Sequence, residues 1–303
     1  MTIVLALGGN ALLRRGEPLD AETQRSNARR AGAAVAEVAR RHRVVVTHGN
    51  GPQVGLLALQ SAALHPARPD PLDLLGAESE GMIGYVLEQE LHSRLPGASV
   101  ATVLTQTVVD PDDSAFDRPT KFVGPQYDEP AAAAVAAERG WSFARDGERL
   151  RRVVSSPRPQ RILELDAIAT LVEAGTLVIA AGGGGVPVCQ RPDGTLRGVE
   201  AVVDKDLASG LLARQLGADL LVLLTDVAAV YRDWCTPRRS AIREAAPEEL
   251  RRERFPAGSM GPKVEAACLF AEAGGRAVIG ALEEAAALVR GEAGTLVRPS
   301  SAA

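Results

Sequence analysis

Short, uninterrupted apolar runs alternate along the chain with longer stretches in which apolar residues recur every three or four positions. Residues 3–7, 44–47, 100–104, 177–181 and 220–224 are runs of the first kind. Runs this short, with no polar alternation, predict strands buried on both faces. Residues 23–41 are of the second kind: Ala28, Ala31, Val35, Val38 and Ala39 fall on one side and arginines on the other. That periodicity predicts a helix. Residues 73–95, 204–216 and 263–273 are read as further helices, and 278–280 and 295–298 as closing strands. Buried strands separated by amphipathic helices indicate an α/β fold with a mainly parallel sheet covered on both faces.

Residues 110–159 break the pattern. They are rich in Pro, Asp and Arg and have little apolar periodicity. The expectation is one domain over residues 1–303, with about 110–159 inserted as a small protruding subdomain.

Composition narrows the function classes. The chain has 303 residues, enough for a large core, and only 3% are aromatic, so that core is built from Leu, Val, Ile and Ala. The net charge is -4 and no basic stripe or tail stands out, which argues against a nucleic-acid partner. No apolar run approaches the roughly 20 residues that cross a bilayer, and the first residues read as a strand rather than a signal peptide. The expectation is a protein of the cytoplasm with no membrane partner. Cys189, Cys235 and Cys268 match no metal or disulfide spacing and are read as reduced and structural.

Ligands of open parallel sheets bind beyond the carboxyl ends of the strands. Here those ends carry Gly8-Gly9-Asn10, His48-Gly49-Asn50-Gly51, the four glycines 182 to 185, and Thr225-Asp226. Glycine lets backbone approach a ligand closely and lets amide groups converge on an anion. The first two clusters also lead into helices, whose N-termini favour anions. One cluster would indicate only a turn; three on one sheet edge indicate phosphate or carboxylate binding. Neither the G-x-x-x-x-G-K-[ST] loop nor the complete dinucleotide fingerprint is present.

Of 34 basic residues only Lys121, Lys205 and Lys263 are lysine. Against that bias a lysine marks a place where guanidinium does not serve, and a compact ammonium among phosphate oxygens is one such place. Phosphoryl transfer needs positioning and charge neutralisation more than a covalent nucleophile. Asp204 and Asp206 flank Lys205, and at least one of them would orient it. No His/Asp/Glu cage is visible, as suits Mg2+ carried on nucleotide phosphates, and no protein metal site is expected. His48 lacks a Ser or Cys partner and is read as a structural donor beside the glycine loop. His42, His65 and His92 are read as surface residues, and Asp110, Asp112 and Asp113 as a solvated turn.

These motifs resemble the carbamate kinases of the amino-acid kinase family. The resemblance runs end to end. It is carried by Ala6 to Ala11, by His48-Gly49-Asn50-Gly51-Pro52-Gln53-Val54-Gly55, by Ala101 to Gln106 and by Pro119-Thr120-Lys121 with Gly124-Pro125. Further on come the four glycines with Val186-Pro187-Val188, the run Gly198 to Asp206, and Gly258-Ser259-Met260 with Pro262 to Ala267. It implies a three-layer αβα sandwich, a subdomain over the active site and a homodimer. It also implies reversible transfer between ATP and carbamate, giving ADP and carbamoyl phosphate, often in fermentative arginine breakdown. By motif position, Gly8, Gly9 and Asn10 would hold the phosphoryl group in transit, and Gly49, Asn50 and Gly51 carbamate and that group. Lys121 would reach in from the subdomain, and Lys205, oriented by Asp204, would stabilise the charge in flight. Lys263 would bind nucleotide phosphates, with Thr225, Asp226, Val227, Tyr231 and Met260 walling the adenine. The family's pattern has proline where Phe122 and Ser155 stand, and an aromatic between residues 147 and 152. Two other readings are a kinase of another small carboxylate, disfavoured by the stretch from His48 to Gly55, and a non-catalytic nucleotide-binding regulator, disfavoured by the three lysines.

Overall fold

A computed structural model describes residues 1–14, 16–234, 236–256 and 258–299, and of Asn10 the backbone only. Eight strands form the central sheet: β1 Thr2–Leu7, β2 Arg43–His48, β3 Val100–Thr102, β4 Leu177–Ile179, β5 Leu220–Thr225, β6 Glu244–Ala245, β7 Ala277–Ala281 and β8 Thr295–Val297. Their order is β6-β8-β7-β5-β1-β2-β4-β3. All pairings are parallel except that of β7 with β8.

Successive side chains of a strand point to opposite faces, so a run with no polar alternation feeds two cores. In β1, Val4 and Ala6 join one core, with Leu212 of α4 (Lys205–Gln215) and Phe270 of α5 (Met260–Glu272). Ile3, Leu5 and Leu7 join the other, with Val35 of α1 (Ala21–Ala39) and Ile83 of α3 (Leu72–Arg94). The result is the expected three-layer αβα sandwich. Each large aliphatic side chain so buried contributes about 1.5–3 kcal/mol relative to exposure. Helix α1 begins two residues before the apolar periodicity does, because Asp20 caps it by accepting the Thr23 N–H at 2.8 Å.

The remaining helix that matters to the site is α2 (Gly51–Leu64), which starts at the second glycine cluster as the sequence suggested. The helix after the first cluster is a single turn, Gly9–Leu12. Anion-binding capacity there resides in individual amides rather than in a helix dipole. Two strands end early. The apolar run 100–104 stops at Thr102, and the chain then enters a second, four-stranded sheet through Gln106–Val109. The run 177–181 stops at Ile179 because Ala181 takes φ 49°, turning the chain into the glycine cluster. The Ala181 N–H is held there by Thr105 Oγ1 at 2.8 Å.

Residues 121–154 contribute a separate three-stranded sheet of Lys121–Tyr127, Arg149–Val154 and Ser142–Asp146, with a helix at Glu129–Arg139. The aromatics of this sheet lie outside the 147–152 stretch: Tyr127 packs edge-on to Phe143, and Trp141 stacks under Arg152 at 3.7 Å. The sheet meets α2 through glycine against glycine. A Cβ on Gly55 would lie 2.0 Å from the Gly124 Cα, backbone that no side-chain rotation can move aside. Gly55→Ala is therefore expected to push this sheet off α2. Lys121 opens this sheet, so its ammonium should move with it while the central fold survives. Limited proteolysis alongside circular dichroism checks this; cleavage within residues 121–154 no faster than in the parent would mean that the contact does not hold the sheet.

Among the described residues no helix is long and apolar enough to cross a membrane. Cys189 and Cys268 are free thiols, and burial pushes the Cys268 thiol up to about 11. Cys235 lies outside the described residues. His65 and His92 are exposed, as read, whereas His42 is half-buried beneath the start of β2. In the turn at Asp110, Asp112 and Asp113 the carboxylates bind backbone, Asp110 accepting from the Asp112 N–H and Asp113 from the Ala115 and Arg158 N–H groups.

Candidate active site

Strands β5, β1, β2 and β4 are consecutive neighbours in the sheet, so their carboxyl ends lie side by side. Those ends deliver Thr225, Gly8-Gly9, Gly49 to Gly51 and the glycines 182 to 185 to one edge. Absence of side chains lets the turns nest. A Cβ on Gly49 would stand only 3.5 Å from the Gly9 Cα and N, and 3.7 Å from Lys205 Cε. A Cβ on Gly183 would fall 2.2 Å from Asn50 Nδ2. The lysine, the first two glycine clusters and the third therefore share one small volume.

Lys205 is the first residue of α4 and Asp204 its cap. Asp204 Oδ1 accepts from the Asp206 N–H at 2.8 Å and the Leu207 N–H at 3.2 Å, and Oδ2 accepts from Lys121 Nζ at 2.5 Å. Asp206 points the other way. Its Oδ1 accepts from Lys205 Nζ at 2.5 Å, and its Oδ2 from Lys263 Nζ at 2.9 Å. Lys121 comes from the small sheet, Lys205 from α4 and Lys263 from α5, so three separate elements converge on two neighbouring carboxylates. All four carboxylate oxygens are engaged by ammonium or amide donors.

The cluster is buried, and its charges are set by that fact. Burial works against the Lys205 ammonium and, with the Lys263 charge nearby, outweighs the attraction of Asp206, pulling Lys205 down to about 8. Burial also opposes the Lys263 ammonium, but Asp206 prevails there and raises it above the ordinary lysine value. For Asp206, burial is overcome by Lys205 and Lys263 together, which hold the carboxyl far below the usual carboxylate range. Asp204 is likewise held low by Lys121 against the effect of burial. Three cations against two carboxylates leave an excess positive charge facing the glycine amides, which is a site for a polyanion.

The other sequence candidates fall as follows. Gly51 opens α2 and lies under the small sheet, its Cβ position 3.5 Å from the Phe122 carbonyl oxygen. Asn50 turns its amide toward α3, donating to Ser79 Oγ at 2.8 Å, so that Nδ2 is committed to the scaffold. The Asn10 side chain lies outside the described atoms. Thr225 ends β5 beside Gly8, and its hydroxyl pairs with Asp226 at 3.2 Å. Val227 follows in the same loop. Met260 opens α5 three residues before Lys263 and packs on the core. Tyr231 takes no part in the lysine cluster; its ring lies tilted at 55° to that of Trp234, 5.2 Å between centroids, in the loop after Val230–Arg232. Phe122, where the resemblance implies proline, carries a ring that approaches Gly258, its Cε2 3.2 Å from that residue's Cβ position.

Sequence reasoning missed the buried acid Glu80 and the threonines 105 and 107, which hold the third glycine cluster from behind. Glu80 sits in a helix between Ser79 and Gly81, where a buried carboxyl and a solvated one look alike in sequence. Among the described residues no His, Cys, Asp and Glu side chains group into a metal cage.

The model of the amino acid kinase family matches residues 1–280. A carbamate kinase of Rhizobium meliloti (strain 1021) is 56% identical over 304 aligned positions, covering 99% of this chain and 94% of that protein. Among solved structures, carbamate kinase from Giardia lamblia bound to citric acid superposes with a TM-score of 0.92 at 40% identity, over 99% of this chain and 98% of the other. The same enzyme bound to AMP-PNP gives a TM-score of 0.88 at 40% identity, over 99% and 98%. With its fold, its converging glycine edge and these full-length similarities, the chain belongs to the amino acid kinase family.

Proposed function

We propose that the chain is a carbamate kinase, transferring a phosphoryl group reversibly between MgATP and carbamate to give MgADP and carbamoyl phosphate. The observation that carries this reading is the tethering of Lys121, Lys205 and Lys263 to Asp204 and Asp206 beside three nested glycine turns. The full-length similarity to carbamate kinases selects the substrate.

In the forward direction a carbamate oxygen attacks the γ-phosphorus. A new O–P bond forms, the bond from the β–γ bridging oxygen breaks, and ADP leaves with that electron pair. Carbamate is already an anion, so no proton has to be removed and no general base is required. The obstacle is bringing two anions together, and preorganised donors lower it. Lys205, whose Cε lies beside Gly49 in the turn that nests on Gly9, neutralises the phosphoryl oxygens as the group passes from donor to acceptor. Asp204 fixes the start of α4 and Lys121 over it; Lys263 takes the nucleotide phosphates. Gly8, Gly9 and Asn10 supply donors to the transferred group, and Gly49, Asn50 and Gly51 to carbamate. Thr225, Asp226, Val227, Tyr231 and Met260 form the adenine side. Because the lysines and amides use every oxygen of Asp204 and Asp206, magnesium would be carried on the nucleotide phosphates, where it would neutralise phosphate charge. Residues 110–159 form the cover that brings Lys121 to the site within a single domain. The working form is a homodimer of the cytoplasm, for which the exposed Met82, Tyr85 and Leu104 on and beside α3 offer an apolar contact strip.

The test is ATP formation from ADP, magnesium and carbamoyl phosphate, with acetyl phosphate as the substitute donor and light scattering on the same sample. Rapid ATP formation from carbamoyl phosphate, at least about 100-fold slower with acetyl phosphate, is expected, from a particle of twice the chain mass. A folded, ADP-binding protein that forms no ATP would overturn the activity, and a monomer turning over at full rate would overturn the assembly.

A further inference from the structure

His48 ends β2, fully buried, with Nδ1 3.2 Å from the Gly49 carbonyl oxygen. A carbonyl can only accept, so Nδ1 carries the proton and Nε2 is a bare acceptor. That Nε2 is buried without a hydrogen-bond partner. Glu80 on α3 is 1% exposed. Its Oε1 accepts from the Gly182 N–H at 2.8 Å and from the Thr105 N–H at 3.3 Å. Its Oε2 is buried and, like the imidazole nitrogen, without a partner. Both side chains flank the same residue: a methyl on Gly182 would lie 2.5 Å from His48 Nε2 and 2.7 Å from Glu80 Cγ.

An ionised Glu80 would leave two unmet acceptors facing one glycine, an arrangement that buried polar groups avoid. A proton on Oε2 removes both faults, because it supplies a donor on the same side of Gly182 as the bare imidazole acceptor. The surroundings agree. Burial, with Glu164 adding repulsion, pushes the Glu80 carboxyl up to about 8. Burial, with the Lys205 charge nearby, pulls the His48 imidazolium down to about 4, so the ring is not the proton's holder.

We propose that Glu80 carries a proton on Oε2 and, by a small rotation of its carboxyl, donates it to His48 Nε2, completing a relay from the Gly182 N–H through Glu80 and His48 to the Gly49 carbonyl. All three bonds run in one direction, so each strengthens the next. The relay ties the glycine turn after β4 to the glycine turn after β2. Neither side chain touches substrate; both are positioning residues for the pocket in which Gly49, Asn50 and Gly51 receive the acceptor anion, and that part of the proposal rests on the reading of the site given above.

Glutamine reproduces the neutral carboxyl: its oxygen accepts from the two amides and its NH2 donates to the imidazole. Leucine keeps the bulk and removes both functions. The full-length E80Q protein is expected to form ATP within about threefold of the parent, while E80L raises the KM for carbamoyl phosphate about tenfold or more and leaves the KM for ADP within about twofold. Nitrogen NMR on 15N-histidine-labelled protein is expected to show His48 as the neutral Nδ1–H form, with Nε2 shifted as a hydrogen-bond acceptor in the parent and in E80Q and released in E80L. An E80Q protein as impaired as E80L, or a His48 protonated on Nε2, would overturn the proposal. The NMR signature is independent of turnover: if it is present while the parent forms no ATP, the relay stands and only the assignment of the reaction fails. If E80L does not fold, the parent and E80Q spectra still decide.

Discussion

Replacing Lys205 by alanine is expected to reduce ATP formation from ADP and carbamoyl phosphate about 10³-fold, with ADP binding retained. The Lys205 side chain lies beside Gly49, whose turn nests on that of Gly9, and in the proposed reaction those two turns receive the reacting groups. Loss of one preorganised donor to developing charge typically costs 10²–10³-fold, and here a full positive charge goes with it. Arginine should recover no more than about a tenth of the lost activity. It restores charge but not shape, since Lys205 Cε already lies 3.7 Å from where a Gly49 methyl would stand, and a planar guanidinium needs more room than an ammonium. The same residue sets an alkaline limit. Lys205 is held down to about 8 by burial, so the free enzyme carries the cation below that pH and loses it above. The profile of kcat/KM for carbamoyl phosphate should therefore fall above about pH 8. A Lys205→Ala protein with half of parental turnover would move the site of charge stabilisation elsewhere.

The apolar runs made the central sheet legible, because a strand buried on both faces needs nothing but apolar residues. The glycine edge followed from the rule that ligands sit beyond strand carboxyl ends, and β5, β1, β2 and β4 are neighbours as that reading requires. The second sheet was hidden for local reasons. Its strand Gln106–Val109 follows β3 after a three-residue break, so two strands in two sheets read as one run and its sequel. Its partner Val186–Gln190 is interrupted by Pro187. The small sheet of residues 121–154 gave no periodicity because only scattered positions such as Val123, Val153 and Val154 are buried in it. The lysines were visible through composition, and their roles came from the resemblance. What could not be seen was the wiring. Asp206 joins Lys205 to Lys263 across 57 positions of sequence, and Glu80 meets Gly182 across 102; such contacts exist only once α3 and α5 have packed.

Removal of the carboxylate at Asp206 should then destabilise the protein more than removal at Asp204, although both aspartates flank the same lysine. Asp206→Ala strands two buried ammonium groups at once. Breaking a buried pair from one side costs about 3–5 kcal/mol, because the remaining charge keeps its desolvation penalty and loses its compensation. Asp204→Ala releases Lys121, whose side chain is 28% exposed and can reach water, and removes a helix cap; together these are worth about 1–2 kcal/mol. Urea unfolding at pH 7 measures both. The contrast has a pH signature with a definite sign. Asp206 favours the charged form of Lys205, so its loss lowers the pKa of Lys205 further below about 8. Near pH 9 the stranded amine of the variant is neutral and no longer bears the burial penalty of a cation. The stability gap between the parent and Asp206→Ala should therefore narrow as pH rises from 7 to about 9, whereas the gap for Asp204→Ala stays nearly constant. Equal gaps for both variants at pH 7 would show that Asp206 is not the keystone of the cluster. A gap that stays flat as pH rises would show that Lys205 is already neutral in the parent.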